Sequence, residues 1–106
     1  MSNWTFITNH GAVLAMVAEH GQITARDIGI KLNLAERSVH RIIGELETEG
    51  YIRKYREGRL NYYRVDREMP LRRDDRRYVA VGSLLRVLIE ENQPPGERAA
   101  KPQLQR

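Results

Sequence analysis

At 106 residues the chain has the length of one ordinary domain, enough to bury a modest core, and it contains no cysteine, which excludes disulfide staples, thiolate metal sites, a cysteine nucleophile and cysteine-based redox sensing. No apolar run approaches the roughly 18 residues of a membrane helix, and the start MSNWTFITNH lacks a basic n-region followed by an apolar one, so a cytoplasmic protein without a membrane segment is expected. The net charge of +4 is unevenly spread: residues 1–52 sum to −2 and residues 53–77 to +5, mostly as arginine, whose planar fork suits phosphate and guanine but also serves a plain solvated face.

In chain order, residues 1–7 read as an N-terminal arm, followed by a helix capped by Thr8 or Asn9. Its apolar residues Val13, Leu14, Met16 and Val17 recur at helical spacing, and Gly21 ends it as a left-handed residue. Gln22 and Ile23 leave room for only a very short strand. Thr24 then caps a second helix over about Ala25 to Leu32, with Asp27 three residues on as in a capping box, and Ala25, Ile28 and Leu32 facing inward. Asn33 and Leu34 make the turn, because asparagine tolerates the left-handed conformation of a tight helix–helix connection. In the third helix Val39, Ile42, Ile43 and Leu46 form a buried stripe, while Glu36, Arg37, His40, Arg41 and Gly44 fall on the wet side, and Gly50 stops it.

From Tyr51 the period changes to two. Residues 51–55 and 60–65 are rich in aromatic and β-branched types, and Arg56-Glu-Gly-Arg59 between them supplies the glycine of a hairpin turn. Leu71 to Arg77 is a basic connector after Pro70, with room for a helical turn. A last helix is expected over about Asp75 to Glu91, on the spacing of Val81, Leu84, Leu85 and Leu88. Residues 94–106 hold Pro94, Pro95, Gly96 and Pro102 with little apolar content and read as a disordered tail. The fold class is therefore mainly α with a small β-hairpin (α+β), divided into an arm (1–7), a helix–helix–helix–hairpin unit (8–66), a connector with the last helix (67–93) and a tail (94–106).

The run from Ile23 to Ile52 places Ala25, Ile28, Leu32, Leu34, Val39, Arg41, Ile43, Leu46, Glu47, Gly50 and Ile52 on the pattern of a known domain, with Ser38 where threonine is usual. In these positions, and in the order helix, helix, turn, helix, hairpin, the chain resembles the winged helix-turn-helix domain of bacterial and archaeal regulators, especially the MarR-like and ArsR-like families. The resemblance covers roughly Val13 to Val65 and implies a sequence-specific regulator that binds double-stranded DNA. One position departs from the pattern: Ala35 stands where serine or threonine usually caps the third helix, so that either the helix starts nearer Asn33 or a phosphate completes the cap.

The physics of the motif is independent of the family. An α-helix fits the major groove, its first turns reach base edges, and its N-terminal amides face a phosphate. Arg37, Ser38, His40 and Arg41 lie in those turns, with Arg37 the leading candidate for a base contact. Glu36 is either a cytosine reader or a structural partner of His40 or Arg41, and the weight falls on the structural role. Glu45, Glu47 and Glu49 belong to the far end of the helix, away from the groove. Thr24 and Arg26 are placed for backbone contacts. Lys54, Arg56 and Arg59 in the wing are placed for phosphate or the adjacent minor groove. The last helix carries more apolar surface than a short domain needs, which points to a homodimer through Val81, Leu84, Leu85 and Leu88, with Trp4 and Phe6 packed alongside.

No glycine-rich phosphate loop or metal-spaced cluster is present, and His10, His20 and His40 are scattered, so neither an enzyme nor a cofactor is expected. The competing expectation is a winged helix that binds protein or RNA. The sequence names no effector ligand.

Overall fold

A computed structural model describes residues 4–72, 75 and 78–90. Three helices come first, α1 (Asn9–His20), α2 (Ala25–Leu32) and α3 (Glu36–Thr48). Their ends are set by local chemistry. The Thr8 hydroxyl accepts from the Gly11 amide at 3.2 Å, and the Thr24 hydroxyl from the Asp27 amide at 3.0 Å, each satisfying one of the orphan donors of a helix start. Gly21 (φ 68°) and Asn33 (φ 58°, ψ 49°) close α1 and α2 in positive-φ backbone. Ala35 is the N-cap of α3 and supplies no side-chain acceptor; since Asn33 is already the C-cap of α2, a start of α3 at Asn33 is excluded.

The hairpin pairs β1 (Ile52–Glu57) with β2 (Leu60–Val65) in register Ile52↔Val65 through Glu57↔Leu60. Its loop is thus two residues, Gly58 and Arg59, rather than the four expected. Gly58 at φ 63° takes the first loop position, as in a type II′ turn, whose twist matches the strands and lets β1 run on to Glu57. Tyr51 precedes the strand and is buried, its hydroxyl donating to the Pro70 carbonyl. Gln22 and Ile23 form no strand; instead the Tyr63 amide donates to the Gly21 carbonyl at 2.8 Å, docking the hairpin on the end of α1.

The last helix, α4, starts at Val81, not at Asp75, and spans Val81–Leu85 before a π-helical turn over Arg86–Glu90. Asp75 lies in a turn, and Val79 and Ala80 are drawn into extended backbone by long-range pairing: Leu71 N–H to Val79 O and Val81 N–H to Met69 O, both 2.7 Å, with Pro70 bridging Ala80. No local periodicity carries that information. Arg76, Arg77 and Glu91 of the expected helix, and the expected tail over 94–106, lie outside the described residues.

One core joins all the elements. Val13, Leu14 and Val17 of α1, Ala25 and Ile28 of α2, and the stripe Val39, Ile42, Ile43 and Leu46 of α3 are buried as expected, with Met16 and Leu32 half-buried at its edge. Tyr51, Ile52, Val81 and Leu85 complete it. Val81 and Leu85 are 3% and 0% exposed. Their assignment to a dimer contact is therefore corrected: the extended return over 79–80 lays α4 back on this chain's own helices, and α1 touches the π-helical turn. Leu84 and Leu88 remain half-buried, and Trp4 and Phe6 stand 65% and 89% exposed in an edge-to-face pair.

Candidate nucleic-acid interface

The buried stripe of α3 fixes what its other sides present. At 100° per residue, the direction opposite Val39, Ile42, Ile43 and Leu46 is held by Arg37, Arg41, Gly44 and Thr48, all exposed. Glu36, His40 and Glu47 fall on the flank toward the hairpin, and Ser38 and Glu45 on the flank toward α1. Ser38 is half-buried, so of the α3 candidates it is the least available to a partner.

Between α3 and the hairpin runs an open cleft of about 460 Å³. The start of α2 contributes Thr24 and Arg26 to it, and α3 contributes Glu36, His40, Gly44 and Glu47. The hairpin adds Lys54, Arg59, Asn61 and Tyr63. Strand alternation explains the last set: Lys54 sits opposite Tyr63, Asn61 is two residues before it on the same sheet face, and Arg53, Tyr55 and Arg64 take the other face. Asn61 is not among the residues expected from the sequence, and Gly44 is expected only on the wet side of α3; period-two counting from a correctly placed turn finds Asn61. Glu47, in the last turn of α3, lines this cleft beside the wing. Tyr51 belongs to the core, and Tyr63 is half-buried, so sheet and core packing account for both. Burial, with the charge of Glu47 adding to it, pushes the Tyr63 phenol above its ordinary range and keeps the hydroxyl a donor.

Ion pairing sorts the cations. Arg41 Nη1 lies 3.3 Å from Glu45 Oε2, and His10 Nε2 of α1 lies 2.6 Å from Glu45 Oε1. The His10 hydrogen bond, together with the Arg41 charge, outweighs desolvation and holds the Glu45 carboxyl below its ordinary range. Arg41 is thereby anchored sideways toward α1. Glu36 pairs with His40 one turn on at 3.5 Å, which supports its structural role. Arg56 donates to the Gly58 carbonyl within the hairpin at 3.2 Å, and Arg64 stacks over Tyr55 with 5.8 Å to the ring centre. By contrast Arg26, Arg37, Lys54 and Arg59 have neither an ion pair nor a side-chain hydrogen bond to any described residue. Lys31, Arg53, Arg67 and Arg86 have none either; what sets the four apart is position, since Arg26, Lys54 and Arg59 line the cleft and Arg37 stands on the outward side of α3.

At the start of α3 the Ser38 and Val39 amides both donate to the Ala35 carbonyl, and no side chain caps the helix. That leaves the Glu36 and Arg37 amides without an acceptor among the described residues, at a helix end that also carries the Glu36 carboxylate. The cleft sets Arg26, Lys54 and Arg59 beside the carboxylates of Asp27, Glu36 and Glu47.

Residues 8–53 match the family described as winged helix-turn-helix DNA-binding. The uncharacterized protein MJ1254 of Methanocaldococcus jannaschii is 36% identical over 59 residues, 55% of this chain, which spans 13% of that protein's length. Two crystal structures of Staphylococcus aureus CymR, one of the oxidized form, are similar at TM-scores of 0.43 and 0.42. They are 20% and 21% identical, and the matches cover 92% and 94% of this chain and 82% of each CymR chain.

Proposed function

We propose that this chain, whose residues 8–53 form a winged helix-turn-helix DNA-binding domain, is a sequence-specific transcriptional regulator that lays α3 in the major groove of double-stranded DNA and the wing on the adjacent backbone or minor groove. The observation that carries this reading is the placement of three unpartnered cations, Arg26, Lys54 and Arg59, along one cleft beside α3, with a fourth, Arg37, on the outward side of that helix. In such a set the phosphate contacts fix register and affinity, and few side chains choose sequence. The protein is read as non-enzymatic and cytoplasmic; among the described residues no helix is long and apolar enough to cross a membrane. Its affinity within the fold to the MarR-like or ArsR-like families rests on the positions between Ala25 and Ile52 alone.

Fluorescence anisotropy with duplex DNA at several salt concentrations tests the reading. Log affinity falls linearly with log salt, and Lys54→Ala weakens all duplexes alike while reducing the slope by about 0.9, the value for one phosphate contact. Failure to bind any duplex at low salt overturns it in favour of a protein or RNA partner.

A homodimer belongs to the same reading, now through Trp4, Phe6, Leu84 and Leu88 without the two core residues. It is supported by the exposed Trp4–Phe6 pair and by the apolar groove of about 850 Å³ that Phe6 and Leu84 line. Sedimentation equilibrium checks it: a dimer at micromolar concentration is expected, dissociated by Phe6→Ser, and a monomer in the unsubstituted chain sinks the idea.

A further inference from the structure

Gly44 is the ninth residue of the thirteen in α3, a place where glycine weakens a helix through its backbone freedom. Six of the seven described glycines have a cause inside the chain. Gly21, Gly50 and Gly58 take positive φ, and an added Cβ at Gly11, Gly29 or Gly82 would come within 2.7, 2.6 and 2.8 Å of a neighbouring atom. Gly44 has neither cause: its φ is helical, and a Cβ there would meet nothing within 4 Å. It is exposed, and it sits on the side of α3 opposite the buried stripe, in line with Arg37 two turns before and bordered by His40 and Arg41. A side chain is missing at the centre of the outward face, where nothing in the chain requires it to be missing.

Resting on the DNA-binding reading, we propose that Gly44 is a close-approach point, where the backbone of α3 lies against the floor of the major groove and the absent side chain sets how deep the helix sits. The dimensions make this residue decisive. A helix with its side chains is about 10–12 Å across and the groove about 12 Å wide, so any side chain aimed at the floor lifts the axis. Gly44 lies about 12 Å along the axis from Glu36, at 1.5 Å per residue. Contact therefore extends into the third turn, beyond the two turns that carry Arg37, His40 and Arg41. Depth at Gly44 governs the reach of Arg37, because both residues share one face. Specificity at this point is steric: the base pair beneath Gly44 is chosen by the room its edge needs, including the thymine methyl, and not by a hydrogen bond.

The test uses the full chain, a duplex that the unsubstituted protein selects from a randomised library, and a scrambled duplex of the same composition. Gly44→Ala is expected to melt at the same temperature or up to about 4 °C higher, since alanine favours the helix. Its affinity for the selected duplex is expected to fall about tenfold, with the scrambled duplex bound nearly as before. Gly44→Leu is expected to lose discrimination between the two duplexes while keeping the salt-dependent binding to both. Binding of the selected duplex by Gly44→Ala within about twofold of the original overturns the proposal and leaves the DNA-binding reading intact. A lower melting temperature for Gly44→Ala also overturns it, by giving the glycine an internal role. If the unsubstituted chain binds no duplex at low salt, the reading itself fails and the proposal with it.

Discussion

Leu85→Ala is expected to lower the free energy of unfolding by about 2–5 kcal/mol, the range for emptying a fully buried leucine site. Leu85 is 0% exposed and lies in one cluster with Val13 and Val17 of α1 and with Leu46 of α3. A small domain has only about 5–15 kcal/mol of stability, so the variant should be partly unfolded near body temperature. Urea unfolding measures it, with Leu88→Ala, at a half-buried position, as the milder companion. The result separates two architectures that share a sequence. If α4 were an external dimer helix, the cost of truncating Leu85 would grow with protein concentration and vanish in a dilute sample. Since α4 is folded onto its own chain, the loss should be the same at every concentration. A cost below about 1 kcal/mol would remove Leu85 from the core.

That contrast marks where the sequence is legible. The bounds of α1, α2 and α3 can be read almost to the residue, because each end is set by a neighbour a few positions away: Thr8 and Gly21, Thr24 and Asn33, then Gly50. The stripe on α3 is equally local, and it fixes Arg37 as outward-facing before any coordinates. What cannot be read depends on distance along the chain. The start of α4 is set by hydrogen bonds between residues 69–71 and 79–81, and His10 reaches Glu45, the i, i+4 partner of Arg41, across 35 positions. The hairpin lies between these cases: the glycine was visible, but register decides whether it sits in the middle of a four-residue turn or first in a two-residue one, and with it which wing residues share a face with Lys54. The site is thus legible in its members and not in their pairing, and the pairing is what separates Arg37 from Arg41.

Arg37→Ala is expected to cost about 1–3 kcal/mol of discrimination, or roughly 5- to 150-fold in affinity for a selected duplex, with a much smaller loss on unrelated sequence. Both arginines lie on the outward side of α3, one turn apart, yet only Arg37 is without an acceptor among the described residues; Arg41 already has Glu45 at 3.3 Å. A guanidinium without an internal carboxylate loses no ion pair when it turns to the O6 and N7 of guanine, whereas Arg41 must first release one. Arg41→Ala should therefore change affinity less than Arg37→Ala and should do so evenly across sequences. Arg37→Lys should fail to restore discrimination, because an ammonium lacks the planar fork that meets both guanine acceptors at once. Binding curves on the selected and scrambled duplexes decide the matter. If Arg37→Ala weakens both by the same factor, Arg37 is a phosphate contact, and sequence choice passes to His40 and to the steric fit at Gly44.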